Sequence, residues 1–118
     1  MKIAVVGSRK FNDYDFLKEK LSEYQIDVIV SGGAMGADLL AERYARENQI
    51  ETLIFPAEWD IHGRSAGPIR NKLIVENCDY LIAFWNGTSR GTKFSIDYAA
   101  ALGKKAVIIY SDDAIQNE

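Results

Sequence analysis

The order of apolar runs in this sequence predicts an α/β fold: a doubly wound, parallel, five-stranded sheet with helices on both faces. Three observations carry that expectation. Short β-branched runs recur along the chain, segments with helical apolar spacing separate them, and the connections are short enough to demand strict alternation. Right-handed crossovers then favour the strand order 3-2-1-4-5. The topological switch falls between the first and fourth strands, where open α/β sheets take ligands beyond their carboxyl ends.

The first strand is read at Lys2–Val6 and the first helix at Tyr14–Tyr24, with Phe16, Leu17 and Leu21 on one face. A second strand at Ile26–Val30 leads into a helix over Gly36–Asn48, whose apolar positions are Leu39, Leu40 and Tyr44. After a third strand at Glu51–Phe55 comes an irregular stretch, Pro56–Gly67, long for a connection and thus a candidate binding loop. The next helix, Pro68–Asn77, carries Ile69, Leu73 and Ile74; the fourth strand is Tyr80–Phe84. The last helix, Gly91–Leu102, carries Phe94, Tyr98 and Leu102, and the fifth strand is Lys105–Tyr110. All five strands are expected to be buried, and the named aromatic and leucine positions to be core. Residues 1–110 form one domain on this reading, and the polar end from Ser111 to Glu118 is a frayed tail.

Composition agrees with one globular core: 118 residues, 47% hydrophobic and 26% charged. A formal net charge of −3 disfavours non-specific nucleic-acid binding, because an acidic surface repels a phosphate backbone. The one cysteine, Cys78, has no disulfide partner and lies in apolar surroundings, so it reads as an inert buried thiol. The apolar run at the start is too short for a signal peptide or a membrane span. A cytoplasmic protein without membrane contact is expected.

Three strand ends run directly into glycine and hydroxyl residues, all at the carboxyl edge of the expected sheet. Gly7-Ser8-Arg9 offers a close backbone approach, a hydroxyl and a guanidinium that can fork onto a phosphate. Ser31-Gly32-Gly33-Ala34-Met35-Gly36-Ala37-Asp38 precedes a helix whose positive dipole end enters the same space, an arrangement suited to cradling phosphate. It matches neither the dinucleotide fingerprint nor a P-loop. Asn86-Gly87-Thr88-Ser89-Arg90-Gly91-Thr92 makes a second anion loop facing the first. Between them stand Trp59, able to stack on a base, and the positive groups Arg64 and Arg70. His62 is the only histidine and has no partner at ligand spacing, so no metal is expected. No nucleophile motif is present.

In combination these loops resemble the SLOG superfamily, which groups the Smf/DprA and Lonely Guy proteins, and within it the small YspA-related branch. The resemblance spans nearly the whole chain and rests on Gly7-Ser8-Arg9, on the run from Ser31 to Asp38, and on Ala66-Gly67-Pro68-x-Arg70-Asn71 followed by Asp79 and Gly91-Thr92. It implies a Rossmann-like fold, a bound nucleotide or nucleotide derivative, no required cofactor and a homodimer, for which Tyr14, Tyr24 or Tyr98 offer exposed faces. Lonely Guy enzymes hydrolyse the N-glycosidic bond of nucleoside monophosphates with an arginine and a motif glutamate. Arg70 matches the arginine; the glutamate position is held by Ser95, and Asp97 lies about 200° further round the helix. The resemblance therefore implies binding rather than hydrolysis, with Arg70, Asp38 and Asp97 as the weak catalytic candidates. Single-stranded DNA binding, known among the DprA-like members, is disfavoured by the acidic balance.

Overall fold

A computed structural model describes residues 1–111; the expected tail, apart from Ser111, lies outside the described residues. One parallel sheet has the order β3-β2-β1-β4-β5, as expected. Its strands are β1 (Lys2–Gly7), β2 (Val28–Ser31), β3 (Glu51–Ile54), β4 (Tyr80–Trp85) and β5 (Lys105–Tyr110). The helices are α1 (Tyr14–Leu21), α2 (Ala37–Glu47), α3 (Trp59–His62), α4 (Ala66–Glu76) and α5 (Arg90–Ala101). Among the described residues no helix is long and apolar enough to cross a membrane.

Alternation along the central strands sorts the core into two layers. Ile3, Val5, Ile29, Ile82 and Phe84 face α1 and α2, while Ala4, Val6, Val30, Leu81 and Ala83 face α4 and α5. Register pairs Ile3 with Tyr80 and Gly7 with Phe84, so β1 and β4 end side by side.

Several expectations are corrected. Only the three central strands are deeply buried; β3 and β5 are sheet edges with one neighbour each and alternate between exposed and half-buried residues. Leu39, Ile69, Leu73 and Leu102, expected in the core, are exposed. Leu17, Leu21, Tyr44 and Ile74 are buried as expected, but α2 and α5 place mostly smaller residues inside: Ala37, Ala41 and Ala45 on α2, and Thr92, Ser95 and Ala99 on α5. Small side chains let these helices approach the sheet closely, which turns the larger ones toward its flanks. The stretch Pro56–Gly67 is not irregular: it contains α3, a 3-10 turn at Gly63–Ser65 and the first residues of α4.

The three tyrosines expected on exposed faces are half-buried and held within the chain. The Tyr14 hydroxyl donates to Glu47 Oε1 at 2.5 Å beneath the Arg43 guanidinium, and the Tyr98 hydroxyl donates to Glu76 Oε2 at 2.6 Å. Tyr24 packs edge-on against Tyr80. Cys78 is buried, with its thiol pKa pushed up by desolvation.

Candidate ligand-binding cleft

From adjacent strands β1 and β4 the chain departs to opposite faces of the sheet, so the loops that follow part and leave a crevice between them. Into it project the loops after β1, β2 and β4, together with Trp59 and the start of α4. The result is a cavity of about 840 Å³, beside a smaller one of about 300 Å³ that shares Arg9, Ala34, Trp59 and Arg70 with it.

Glycine is required at two of these strand ends by the protein's own packing. A Cβ on Gly7 would stand 2.6 Å from both Ala37 Cβ and the Phe84 carbonyl oxygen. Gly36 has φ +84° and lies against the Ser8–Arg9 backbone, leaving no room for a side chain. In this way the loop after β2 is pressed onto the loop after β1.

The β2 loop is built around Asp38. Its carboxylate accepts from the amides of Gly32 at 3.0 Å and Ala34 at 3.4 Å; the Gly33 amide donates to Ser31 Oγ at 3.3 Å. These three amides, expected to cradle phosphate, are thus directed inward. Ser31 Oγ donates in turn to Glu42 at 2.7 Å. Burial pushes the Asp38 pKa up to about 6, against the lowering effects of the Ala34 amide, Arg70 and the Gly32 amide.

The loop after β4 is organised differently. Asn86 Oδ1 accepts from the amides of Thr88 and Ser89, both at 2.9 Å, and Ser89 Oγ caps α5 by accepting from the Thr92 amide at 3.4 Å. The amides of Arg90 and Gly91, in the first turn of α5, have no partner among the described residues, and both residues line the large cavity. The positive end of α5 therefore opens into it.

Arg70 lies across the β2 loop. Its Nη1 donates to the Gly32 carbonyl at 2.9 Å and its Nε to Asn71 Oδ1 at 2.9 Å. Burial lowers its pKa; Asp38 opposes that, and the nearby Arg9 adds to it. Arg9 itself makes no ion pair with any described residue. The charged side chains lining the large cavity are Arg9, Lys10, Arg70 and Arg90 against the single carboxylate of Asp38. A positive interior in an acidic chain favours an anion at this place.

Of the residues singled out in the sequence, Gly7, Ser8, Arg9, Asp38, Trp59, Arg70, Thr88, Ser89, Gly91 and Thr92 line the large cavity, and Gly32 and Gly33 line the small one. Ser31, Gly36, Arg64 and Gly87 line neither. Asp97 is on the outer face of α5, where it pairs with Lys93 at 2.8 Å in the open. Ser95 is buried at the cavity wall, its hydroxyl donating to the Gly91 carbonyl at 3.3 Å. Sequence reasoning missed Lys10 and Phe94 as lining residues, while Arg90, part of the second anion loop it picked out, lines the cavity as well. Lys10 adjoins Arg9 in the sequence, whereas the helical spacing of Phe94 reads as a core position.

Comparison with known proteins places these features among relatives. The model of a family described as YspA, cpYpsA-related SLOG matches residues 1–62. The Gene 61 protein of Mycobacterium phage D29 is 33% identical over 114 residues, covering 86% of this chain and 90% of that protein. DNA processing protein A from Streptococcus pneumoniae superposes with a TM-score of 0.75 at 25% identity, over 98% of this chain and 56% of that one. A structure concerned with the single-stranded DNA binding mode of DNA processing protein A from Helicobacter pylori superposes with a TM-score of 0.65 at 21% identity, over 92% of this chain. The present chain spans 64% of that protein, so it covers less than two thirds of either DNA processing protein.

Proposed function

The chain belongs to the YspA, cpYpsA-related SLOG family, and on that premise we propose that its cleft binds a phosphate-bearing nucleotide or nucleotide derivative. One observation carries the proposal: the cavity at the β1/β4 switch is lined by four cations and one buried carboxylate, and the free first-turn amides of α5 open into it. Phosphate sits against Arg9, Arg70 and those amides, while Trp59, half exposed at the rim, stacks on the base.

Calorimetry against nucleoside mono-, di- and triphosphates, ADP-ribose, NAD and a pterin tests this reading. Arg70→Ala is expected to weaken the best ligand by roughly 10- to 100-fold, the range for loss of a charge-assisted contact. Unchanged affinity would remove Arg70 from the site, and no binding by any phosphate compound would remove the proposal.

A second reading has one observation in its favour, the superposition on a DNA processing protein studied for single-stranded DNA binding. Its test is the dependence of affinity on strand length and salt. Glycosidic hydrolysis has less support. Ser95 stands at the position of the motif glutamate, Asp97 faces solvent, and Asp38 is tied to the Gly32 and Ala34 amides. Chromatography of nucleotide incubations is expected to show no free base.

A further inference from the structure

The large and small cavities share a wall, and the residues common to both are Arg9, Ala34, Trp59 and Arg70. Two guanidiniums and an indole thus stand on the wall common to two adjoining recesses. Arg70 is fixed there: a Cβ on Gly32 would lie 2.5 Å from its Nη1, so it rests directly on the β2 loop.

The recesses differ. The large one holds the α5 amino end and the hydroxyls of Thr88 and Thr92. The small one is walled by Met35, Pro56 and Ala57 and contains no carboxylate. At about 300 Å³ it reaches the lower end of the range for pockets that enclose a small ligand. Met35 is 68% exposed, an apolar side chain with no core to enter, and it borders this recess.

A mononucleotide placed with its phosphate on Arg9 and Arg70 fills one recess and leaves the other open. We infer that the cleft is built for a two-armed ligand, in which a phosphate or diphosphate bridges two organic groups, with the bridge on the Arg9–Arg70 wall and one arm in each recess. The inference rests on the phosphate-site reading above and narrows it to one ligand class.

Comparing ADP with diadenosine diphosphate by calorimetry distinguishes the two statements, because ADP carries the larger charge and a simple anion site ranks it first. The two-armed ligand is expected to bind at least tenfold more tightly than ADP. ADP binding as tightly or more tightly overturns the inference while the phosphate site stands; binding of neither overturns the inference, and the phosphate site falls with it only if the rest of the panel also fails to bind. Ala57→Phe, which fills the small recess, and Met35→Ala, which strips one wall, are each expected to lower affinity for diadenosine diphosphate and leave ADP unchanged. Equal losses for both ligands would overturn the assignment of the second arm. Decathymidine included in the panel serves as a further control, and tighter binding of it than of diadenosine diphosphate would replace the small ligand with a nucleic-acid strand. The wild-type ranking decides the matter even if a variant fails to fold.

Discussion

Asp38 shows how one side chain can organise a loop and also weaken the fold. Its carboxylate satisfies two amides of the β2 loop, yet burial raises its pKa from an ordinary 3.8 to about 6. The folded chain therefore holds a proton that the unfolded chain releases, and stability falls as pH rises through that window. The loss amounts to about 2–3 kcal/mol, complete above the folded-state pKa. Asn at this position keeps an acceptor for the amides without the charge. In urea titrations across about pH 4 to 7, Asp38→Asn is expected to gain on the wild type by that amount, and a constant difference would mean the carboxyl titrates normally. Gly36 illustrates a separate constraint. Its φ of +84° and its contact with the Ser8–Arg9 backbone make Gly36→Ala severely destabilising, by more than about 2 kcal/mol, readable in the same titrations. The glycines at the strand ends were visible in the sequence, and so was their convergence. That Gly7 and Gly36 serve the chain's own packing was not, because a glycine spaced for a ligand and one spaced for a neighbouring backbone look alike in one dimension.

Helix faces were harder to read than strands for a related reason. Large apolar residues dominate any periodic pattern, yet on α2 the buried apolar residues are Ala37, Ala41 and Ala45 beside a single large one, Tyr44, while Leu39 is exposed. A leucine at Ala41, which is fully buried, would have to push α2 off β1 and β2. Ala41→Leu is expected to cost about 1–3 kcal/mol, measured as a lowered urea midpoint with unchanged slope. The carboxyl end of α4 depends on a contact no periodicity reveals: Lys104 Nζ donates to the carbonyls of Val75, Glu76 and Cys78 at 2.8, 3.1 and 2.8 Å. Removing the ammonium in Lys104→Met leaves those carbonyls at a helix end without it, and a loss of about 2 kcal/mol is expected in the same measurement. Strand order was legible because short connections and chain direction leave few topologies for five runs of this length. The helix carrying Trp59 was not, since four residues are too few to display a helical period.

Charge separates the two binding readings. The chain has 14 basic and 17 acidic side chains, but the large cavity gathers Arg9, Lys10, Arg70 and Arg90 with Asp38 as its single carboxylate. What remains outside the cleft is therefore more acidic than the chain as a whole. A small anion meets only the cleft, and its attraction is local. A nucleic-acid strand that extends beyond the cleft meets a remainder of the chain with net negative charge, where additional phosphates gain little and are repelled at low salt. Contacts are then confined to about two phosphates, whatever the length of the strand. For single strands the logarithm of affinity falls with the logarithm of salt by about 0.7 for each phosphate neutralised, so a slope near −1.5 is expected. Fluorescence anisotropy with thymidine strands of about three and about twenty nucleotides, between low and physiological salt, measures both quantities. The longer strand should gain only the statistical advantage of its overlapping registers, and both strands should share the shallow slope. A slope of about −4 or steeper, with affinity climbing further as the strand lengthens, would require basic surface along a path outside the cleft. The single-stranded DNA reading would then displace the small-ligand one, because a site built for a bridging phosphate or diphosphate cannot release that many counterions.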